Sequence, residues 1–392
     1  MGATQERTGA MSKHMTFDDD DRLAFRDSVE RYIRDHADPE SVMEWDERKE
    51  FPETVVQGMA EQGWFALTLP ETYGGIGDYL DMTSMLEVIA SASITLARFW
   101  NINVNMVGGA IAALGADHLK SEMLPKLAEG KVRFAFALSE NNSGSDASAL
   151  KTRAEVGDEE FTVNGTKMWI TGAQQADYIL TAVRTDPKAT RHDGISLILI
   201  PREAEGVTVT PIPLLGGHAV RTCEVNFIDV KVPRNLMVGD LHTGWKQLMP
   251  ILAKERVALA AMCMGAGQAA TNLAIEYCTQ RQQFGRRLTA FQAVSHRIVE
   301  MQNRTDAARL LTYHAAEKLN AGQQCSREAS QAKLFASDSY MQTALDGLQV
   351  MGANGYSMEY AMQRHFREAK VFQIFGGTSE IQKNIIGKEL GL

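Results

Sequence analysis

FTVNGTKMWIT, residues 161–171, decides how this chain reads. It is a short run rich in β-branched and aromatic residues, and its Asn164–Gly165 pair predicts a hairpin turn. Further along lie three runs of the same texture bounded by turn residues: YILTAV at 178–183, GISLILIP at 194–201 and CEVNFIDVKVP at 223–233. Together with the change of texture at Phe134 they predict a small β-domain. On both sides the period is helical. Phe25, Val29, Tyr32 and Ile33 fall at i, i+4, i+7 and i+8, behind an acidic run, Asp18 to Asp21, that reads as helix N-terminal charge. Periodic segments continue through Met82–Ala92 and the stretch Gly109–Leu127, with a turn at Pro70–Gly75. After Gly244 the helical period returns, interrupted by loops at QQFGRRLTAF and VMGANGYS. The expectation is an α+β chain, mainly helical: an N-terminal helical domain over 1–130, a central β-domain over 131–240 and a C-terminal four-helix bundle over 241–392.

Composition narrows the function classes. A chain of 392 residues with 44% hydrophobic content can bury a large core. Lys+Arg 40 against Asp+Glu 49 gives a net charge of −9, which argues against a nucleic-acid partner. The first fifteen residues are polar and lack the apolar segment of a signal peptide, so a cytoplasmic location is expected. Gly2 resembles a myristoylation site, but Glu6 stands where Ser or Thr is required. Cys223, Cys263, Cys278 and Cys325 are widely spaced and in no CxxC pattern, which predicts reduced, buried thiols. The nine histidines form no HExxH or other helical ligand pair, so no metal is expected. Val257–Ile275 is the most apolar stretch. Gln268, Thr271 and Asn272 interrupt it, and its Gly and Ala content fits a tightly packed bundle helix rather than a membrane span.

Within the C-terminal part, LAKERVALAAMCMG at 252–265 carries a carboxylate in an unusual place. On a helix beginning near Gly244, the residues Leu248, Ile251, Leu252, Leu259 and Met262 form one apolar stripe, and Glu255 lies in it. The residues three and four away are Ile251, Leu252, Ala258 and Leu259, so no cation neutralises it along the helix. Pro250 either kinks this helix or marks its start, and in the second case Leu248 leaves the stripe. The pattern equally fits a Glu paired with a distant Arg or one reaching solvent at the stripe's edge. Burial in an apolar pocket would raise its pKa toward neutrality, the range suited to a general base.

Several motifs give the chain a resemblance that runs nearly its whole length. FREAKVFQIFGGTSEIQ at 366–382, FALSENNSGSDASALKT at 136–152, MWIT at 168–171, RQQFGRRLTAFQ at 281–292 and QVMGANG at 349–355 resemble the acyl-CoA dehydrogenases. Members of that family often carry a catalytic Glu at the position of Gly376. The isovaleryl-CoA and long-chain branches carry it at the position of Glu255 instead. The resemblance therefore implies that Glu255 is the base and that the Gly376 N–H binds the thioester oxygen, the glycine leaving room for the carboxylate. It implies FAD as cofactor, with Phe136, Leu138 and Ser139 against the isoalloxazine, Trp169 covering one side of it and Thr171 near N5. An ordinary sheet-core Trp is the other reading of Trp169.

By the same resemblance Arg281, Phe284 and Gln292 reach the FAD of a neighbouring subunit in a homotetramer, Arg281 at the pyrophosphate. Gln349, Gly352, Thr378 and Glu380 are further FAD candidates. Ser145 approaches the CoA arm, and Arg256 lies near the substrate or in a structural ion pair. The chain departs from the family's EPGAGSD pattern at Asn141, Asn142 and Ser143, and from QxxGGxG at Ala353. The pocket floor is expected from ITLARFWNINVNM at 94–106. There Arg98 is either a surface residue or the partner of a distal acyl carboxylate, and Asn101, Asn103 and Asn105 suggest a functionalised acyl group. The implied reaction is FAD-dependent α,β-dehydrogenation of an acyl-CoA to the trans-2-enoyl-CoA, with an electron-transferring flavoprotein as acceptor. The alternatives are an enoyl-CoA reductase, a flavin oxidase or monooxygenase on the same fold, a non-catalytic acyl-CoA-binding protein, and a carrier-protein thioester in place of CoA.

Overall fold

The computed structural model describes residues 20–392, so Gly2, Glu6 and the acidic residues Asp18 and Asp19 lie outside the described residues. Helix α1 (Asp20–His36) has Asp20 and Asp21 in its first turn and Arg34 and His36 in its last, the polarity that suits the helix dipole. Val29 and Ile33 of the periodic stripe are buried. Helix α2 (Pro39–Arg48) is capped by Asp38, whose side chain accepts from the Glu40 and Ser41 N–H groups. After α3 (Glu53–Glu61), helix α4 (Tyr79–Ala92) begins with a reciprocal capping box between Asp78 and Asp81.

Helix α5 (Ile94–Trp100) passes into a π-helical segment, Asn101–Gly108, followed by α6 (Gly109–Leu114) and α7 (Asp117–Ala128). The three asparagines here are structural rather than a polar pocket floor. Asn103 Nδ2 donates to Phe99 O at 2.9 Å, while its Oδ1 accepts from the Phe134 N–H at 2.6 Å. Asn105 Nδ2 donates to Asn101 Oδ1 at 2.8 Å. The two Asn103 bonds satisfy backbone groups, and the one to Phe134 ties the helix to the first strand.

The central part is an eight-stranded sheet built from β1 (Phe134–Ala137), β2 (Arg153–Val156), β3 (Glu160–Thr171), β4 (Tyr178–Arg184), β5 (Ile195–Pro201), β6 (Val207–Pro211), β7 (Thr222–Pro233) and β8 (Met237–Val238). The order is β6-β7-β3-β2-β4-β5-β8, with β1 pairing parallel to β4. Asn164–Gly165 does not turn the chain. It sits inside β3, where the register against β7 shifts between Val163 and Gly165. Asn164 exchanges hydrogen bonds with Asp229 on β7, both 2.9 Å, so the pair marks a bulge between neighbouring strands. The reversal comes earlier, where the Gly157 N–H bonds Glu160 O between β2 and β3.

Helix α8 (Gly244–Gln280) opens the C-terminal part. Pro250 lies in its second turn, where it costs one backbone hydrogen bond without ending the helix, which starts at Gly244, and Leu248 stays in the buried stripe. Every residue from Glu255 to Gly267 is buried. By length and composition α8 could cross a membrane, but 72% of its apolar window is buried inside the fold. The segment expected as a loop holds a small hairpin, β9 (Gln282–Gln283) and β10 (Arg286–Arg287). Helices α9 (Gln292–Asn320), α10 (Ser326–Met351), α11 (Ala353–Tyr356), α12 (Met362–Phe372) and α13 (Ser379–Glu389) complete the chain.

Helix α8 packs on α10 and α9 and also on α4 of the N-terminal part. At its crossing with α4 a Cβ on Gly265 would stand 2.1 Å from Glu87 O, so only glycine lets the two backbones approach this closely. Glu87 itself is buried. Its carboxylate receives Arg309 Nε of α9 at 2.9 Å, Arg26 Nη1 of α1 at 3.0 Å and the Tyr313 hydroxyl at 3.2 Å. Burial pushes its pKa up, but the two guanidinium groups outweigh that and hold it down at about 2. The four cysteines are free and buried.

Candidate active site

The site is built where α8 meets the turn between α12 and α13. Gly376 and Gly377 both take positive φ, +63° and +83°, which turns the chain sharply against α8. A Cβ placed on Gly376 would lie 3.7 Å from Glu255 Oε1 and 2.4 Å from Leu259 Cδ1. The carboxylate and the glycine are therefore neighbours, and Leu259 Cδ1 fills the place that a side chain at residue 376 would take. Glu255 is 7% exposed and forms no ion pair among the described residues. Burial pushes its pKa up to about 7, with the charges of Arg256 and Lys333 pulling the other way. The turn's carbonyls are occupied: Gln382 Nε2 donates to Gly376 O and Gly377 O, both at 2.9 Å, and Lys333 Nζ donates to Gly377 O at 2.7 Å. Among the described residues the Gly376 N–H has no acceptor. A carboxyl group poised near neutrality thus stands beside a free backbone donor.

Arg98 belongs to the same cluster. It is 6% exposed rather than at the surface. Its Nη2 donates to Thr171 Oγ1 at the end of β3, 2.9 Å away, and its guanidinium carbon stands 5.3 Å from the centroid of the Phe375 ring. Thr171 Oγ1 also shares a hydrogen bond with Thr222 Oγ1 at 3.0 Å. Arg98 Nε has no hydrogen-bond partner, and burial lowers its pKa against the pull of Glu368. A buried cation with an unfilled donor therefore lies between the last residue of β3 and the turn that carries Gly376.

The segment around Phe136 is brought to the same end of β3. Lys167 is buried, and its Nζ donates to Leu138 O at 2.8 Å and to Glu140 Oε1 at 2.9 Å. The Met168 N–H bonds Ser139 O at 2.9 Å. Glu140 also accepts from the Lys151 and Thr152 N–H groups at 2.7 and 2.9 Å. The departure at Asn141–Ser143 is closed as a tight turn by mutual backbone bonds between Glu140 and Ser143, each 3.1 Å. These anchors place Trp169 on a bulge at φ 69°, 53% exposed, so it is not a sheet-core residue. A large indole held outward in strained backbone beside Thr171 offers an apolar face to a planar group, which fits a flavin.

Other candidates sit elsewhere. Arg281, Phe284 and Gln292 surround the β9–β10 hairpin, all exposed, Phe284 at 93%. Gln349 and Gly352, at the end of α10, are also exposed. Thr378 is the N-cap of α13, accepting from the Ile381 N–H, and Glu380 lies in that helix's first turn. Arg256 is buried beside Glu255, and among the described residues its Nε has no hydrogen-bond partner and its guanidinium no ion pair. Ser145 is exposed next to a cleft of about 950 Å³ lined by Asp146, Lys151, Arg153, Arg184, Arg191 and His192. Glu255 does not line that cleft.

Three family models cover almost all of the described chain: the N-terminal domain of acyl-CoA dehydrogenase over 19–131, its middle domain over 135–230 and its C-terminal domain over 242–391. The chain belongs to the acyl-CoA dehydrogenase family. It is 35% identical to an acyl-CoA dehydrogenase of Bacillus subtilis, over 94% of this chain and 98% of that one. It is 34% identical to the 3-(aryl)acrylate reductase of Clostridium sporogenes, over 94% and 97%. Glutaryl-coenzyme A dehydrogenase, solved with glutaryl-CoA, superposes with a TM-score of 0.92 at 31% identity, covering 96% of this chain and 97% of that one. Members of the family use FAD and act as oxidoreductases on CH–CH bonds, and this acyl-CoA dehydrogenase relative has the family's helix–sheet–helix fold.

Sequence reasoning missed the residues that hold the site in place: Lys333, Gln382, Thr222 and the Glu140–Lys167 pair. For Lys333 a signal existed. It shares the face of Ala329, Ala332, Ala336 and Tyr340, a charge on a buried stripe just as Glu255 is. Thr222 and the Glu140–Lys167 pair left no local pattern, since their partners are remote in sequence, and Gln382 binds carbonyls five and six residues back, a spacing without a motif of its own.

Proposed function

We propose that the protein converts a saturated acyl-CoA thioester to its trans-2-enoyl thioester, with Glu255 taking the α-proton. The observation that carries this reading is the buried Glu255 carboxylate, pushed up to about 7 and without an ion pair among the described residues, beside Gly376, whose N–H has no acceptor among them. A carboxylate of that basicity accepts a proton at neutral pH and becomes neutral, which its apolar surroundings favour. As the α C–H bond breaks, negative charge builds on the thioester oxygen, and the Gly376 N–H donates to it. FAD, when bound, accepts the hydride from the β-carbon. Phe136, Leu138, Ser139, Trp169 and Thr171 would hold its ring. Gln349, Gly352, Thr378 and Glu380 are further contacts proposed by resemblance.

The exposure of Arg281, Phe284 and Gln292 on a projecting hairpin supports their service to a neighbouring subunit in a homotetramer. The basic cleft beside Ser145 suits the phosphate-bearing arm of the thioester, and Arg256 is proposed to lie near the substrate. Arg98, buried with an open donor, suits an acyl group with an anionic or strongly polar end. An electron-transferring flavoprotein is the proposed electron acceptor.

One observation favours a second reading, reduction of an enoyl or arylacrylyl thioester: the chain's similarity to the 3-(aryl)acrylate reductase. The same geometry serves it, with protonated Glu255 returning the proton to the α-carbon. Anaerobic titration of the FAD-loaded protein with short, branched, long and dicarboxyl acyl-CoAs tests both. Bleaching of the flavin by one class, lost by roughly 10²-fold or more in rate in E255Q, is the expected result. A flavin that no acyl-CoA bleaches, but that enoyl or arylacrylyl thioesters reoxidise after chemical reduction, would favour the reductase. Rapid reoxidation by air would favour an oxygen-using enzyme, and binding without any redox change a non-catalytic protein.

A further inference from the structure

Lys333 lies on α10 with its side chain fully buried, and it forms no ion pair among the described residues. An ammonium has three donors to satisfy, yet its hydrogen bond among the described residues goes to one acceptor, Gly377 O at 2.7 Å. An apolar side chain at this position would avoid the penalty of an under-satisfied buried charge. The charge is therefore unexplained by packing alone. The groups that face it are Cys263 and Glu255 of α8, Asp338 of its own helix and Arg256. Asp338 is engaged by Gln373 Nε2 at 2.6 Å and by the Ser379 hydroxyl at 3.2 Å, which leaves Glu255 as the facing carboxyl group with no hydrogen bond of its own.

We propose that Lys333 is a positioning residue for proton abstraction: its ammonium fixes the Gly376–Gly377 turn through the Gly377 carbonyl and its charge favours the ionised form of Glu255. This rests on the reading of Glu255 as the base. With Gly377 O held by Lys333 and Gly376 O by Gln382, the two peptide planes that follow Gly376 are pinned, which fixes the turn whose first N–H, that of Gly376, has no acceptor among the described residues. Glu255 is faced by two cations, Arg256 and Lys333, which oppose the effect of burial. Burial also lowers Lys333, to about 8, so it is charged at the pH where Glu255 titrates, about 7. Proton abstraction is then bounded at low pH by protonation of Glu255, and the charge of Lys333 moves that bound downward.

The test follows the Glu255 carboxyl itself, by infrared difference spectroscopy of the substrate-free holoenzyme over pH, with E255Q as the reference. In K333M the titration midpoint should rise by about one pH unit or more. In K333Q, which keeps a hydrogen-bond donor without the charge, it should rise similarly, and in K333R it should stay near the wild-type value. The acid limb of the flavin-reduction profile should move upward in parallel in K333M and K333Q. Should K333M fail to fold, K333Q decides. An unmoved midpoint in a folded, FAD-containing neutral variant would overturn the proposal. Turnover that survives E255Q would instead overturn the base assignment, and the infrared midpoints distinguish that failure from this one.

Discussion

Gly376 and Glu255 share one space: a Cβ on the glycine would come within 3.7 Å of the carboxylate oxygen. The carboxylate enters from α8 because nothing enters from the turn. The same Cβ would overlap Leu259 Cδ1 at 2.4 Å. G376A should therefore lose about 1–3 kcal/mol of stability from backbone strain and overpacking. It should also slow flavin reduction, and adding L259A should recover part of both losses. Urea denaturation and single-turnover bleaching measure the two effects.

The pKa of Glu255 sets a pH dependence with a definite sign. Protonation blocks the base, so the rate constant for flavin reduction should fall about tenfold per pH unit below about 7. Stability moves the opposite way. The folded pKa is raised from the ordinary 4.5 to about 7, so the folded state holds this proton more tightly than the unfolded chain does. The contribution is full below 4.5 and is lost as pH rises through 7. E255Q should therefore become more stable relative to the wild type over that interval, by an amount on the order of 3 kcal/mol. Thermal denaturation at pH 5 and pH 8 would show it.

Glu87 ties the first helix to the fourth and ninth through Arg26 and Arg309. Removing its charge strands two buried guanidinium groups. E87Q should lose about 3–5 kcal/mol and melt well below the wild type without altering which acyl-CoA is used. Its pKa of about 2 means that the stability it contributes is present above the ordinary 4.5 and disappears as pH falls toward 2.

Arg98 is the side chain most able to discriminate among acyl groups. R98M should raise KM for substrates with an anionic or polar end by about 10- to 100-fold, the worth of one charged hydrogen bond. Unfunctionalised chains should be affected much less. Steady-state kinetics on matched mono- and dicarboxyl acyl-CoAs would separate them.

Local pattern made much of this molecule legible. Strand runs and helical stripes depend on neighbours in sequence, so β4, β5, β7 and the long α8 could be read before any coordinates. The place of Glu255 on an apolar face could be read the same way. The Asn164–Gly165 signal misled because a bulge and a turn use the same residue types, and only the presence of β7 across from Asn164 distinguishes them. Arg98 misled for a related reason. Exposure statistics describe an average Arg, whereas this one is enclosed by Thr171 and Phe375, which are distant along the chain.

By itself, then, the sequence determined the class of fold, the family and the residue types available for chemistry, because each rests on short-range periodicity or contiguous motifs. The tertiary structure decided which of those residues meet. Burial, which raises Glu255 to about 7, comes from helices far apart in sequence closing over it. The turn that presents the Gly376 N–H is held by Lys333 and Gln382, which bind its carbonyls from separate helices. Electrostatic shifts and hydrogen-bond satisfaction depend on distance in space, and that is set only when the chain has folded.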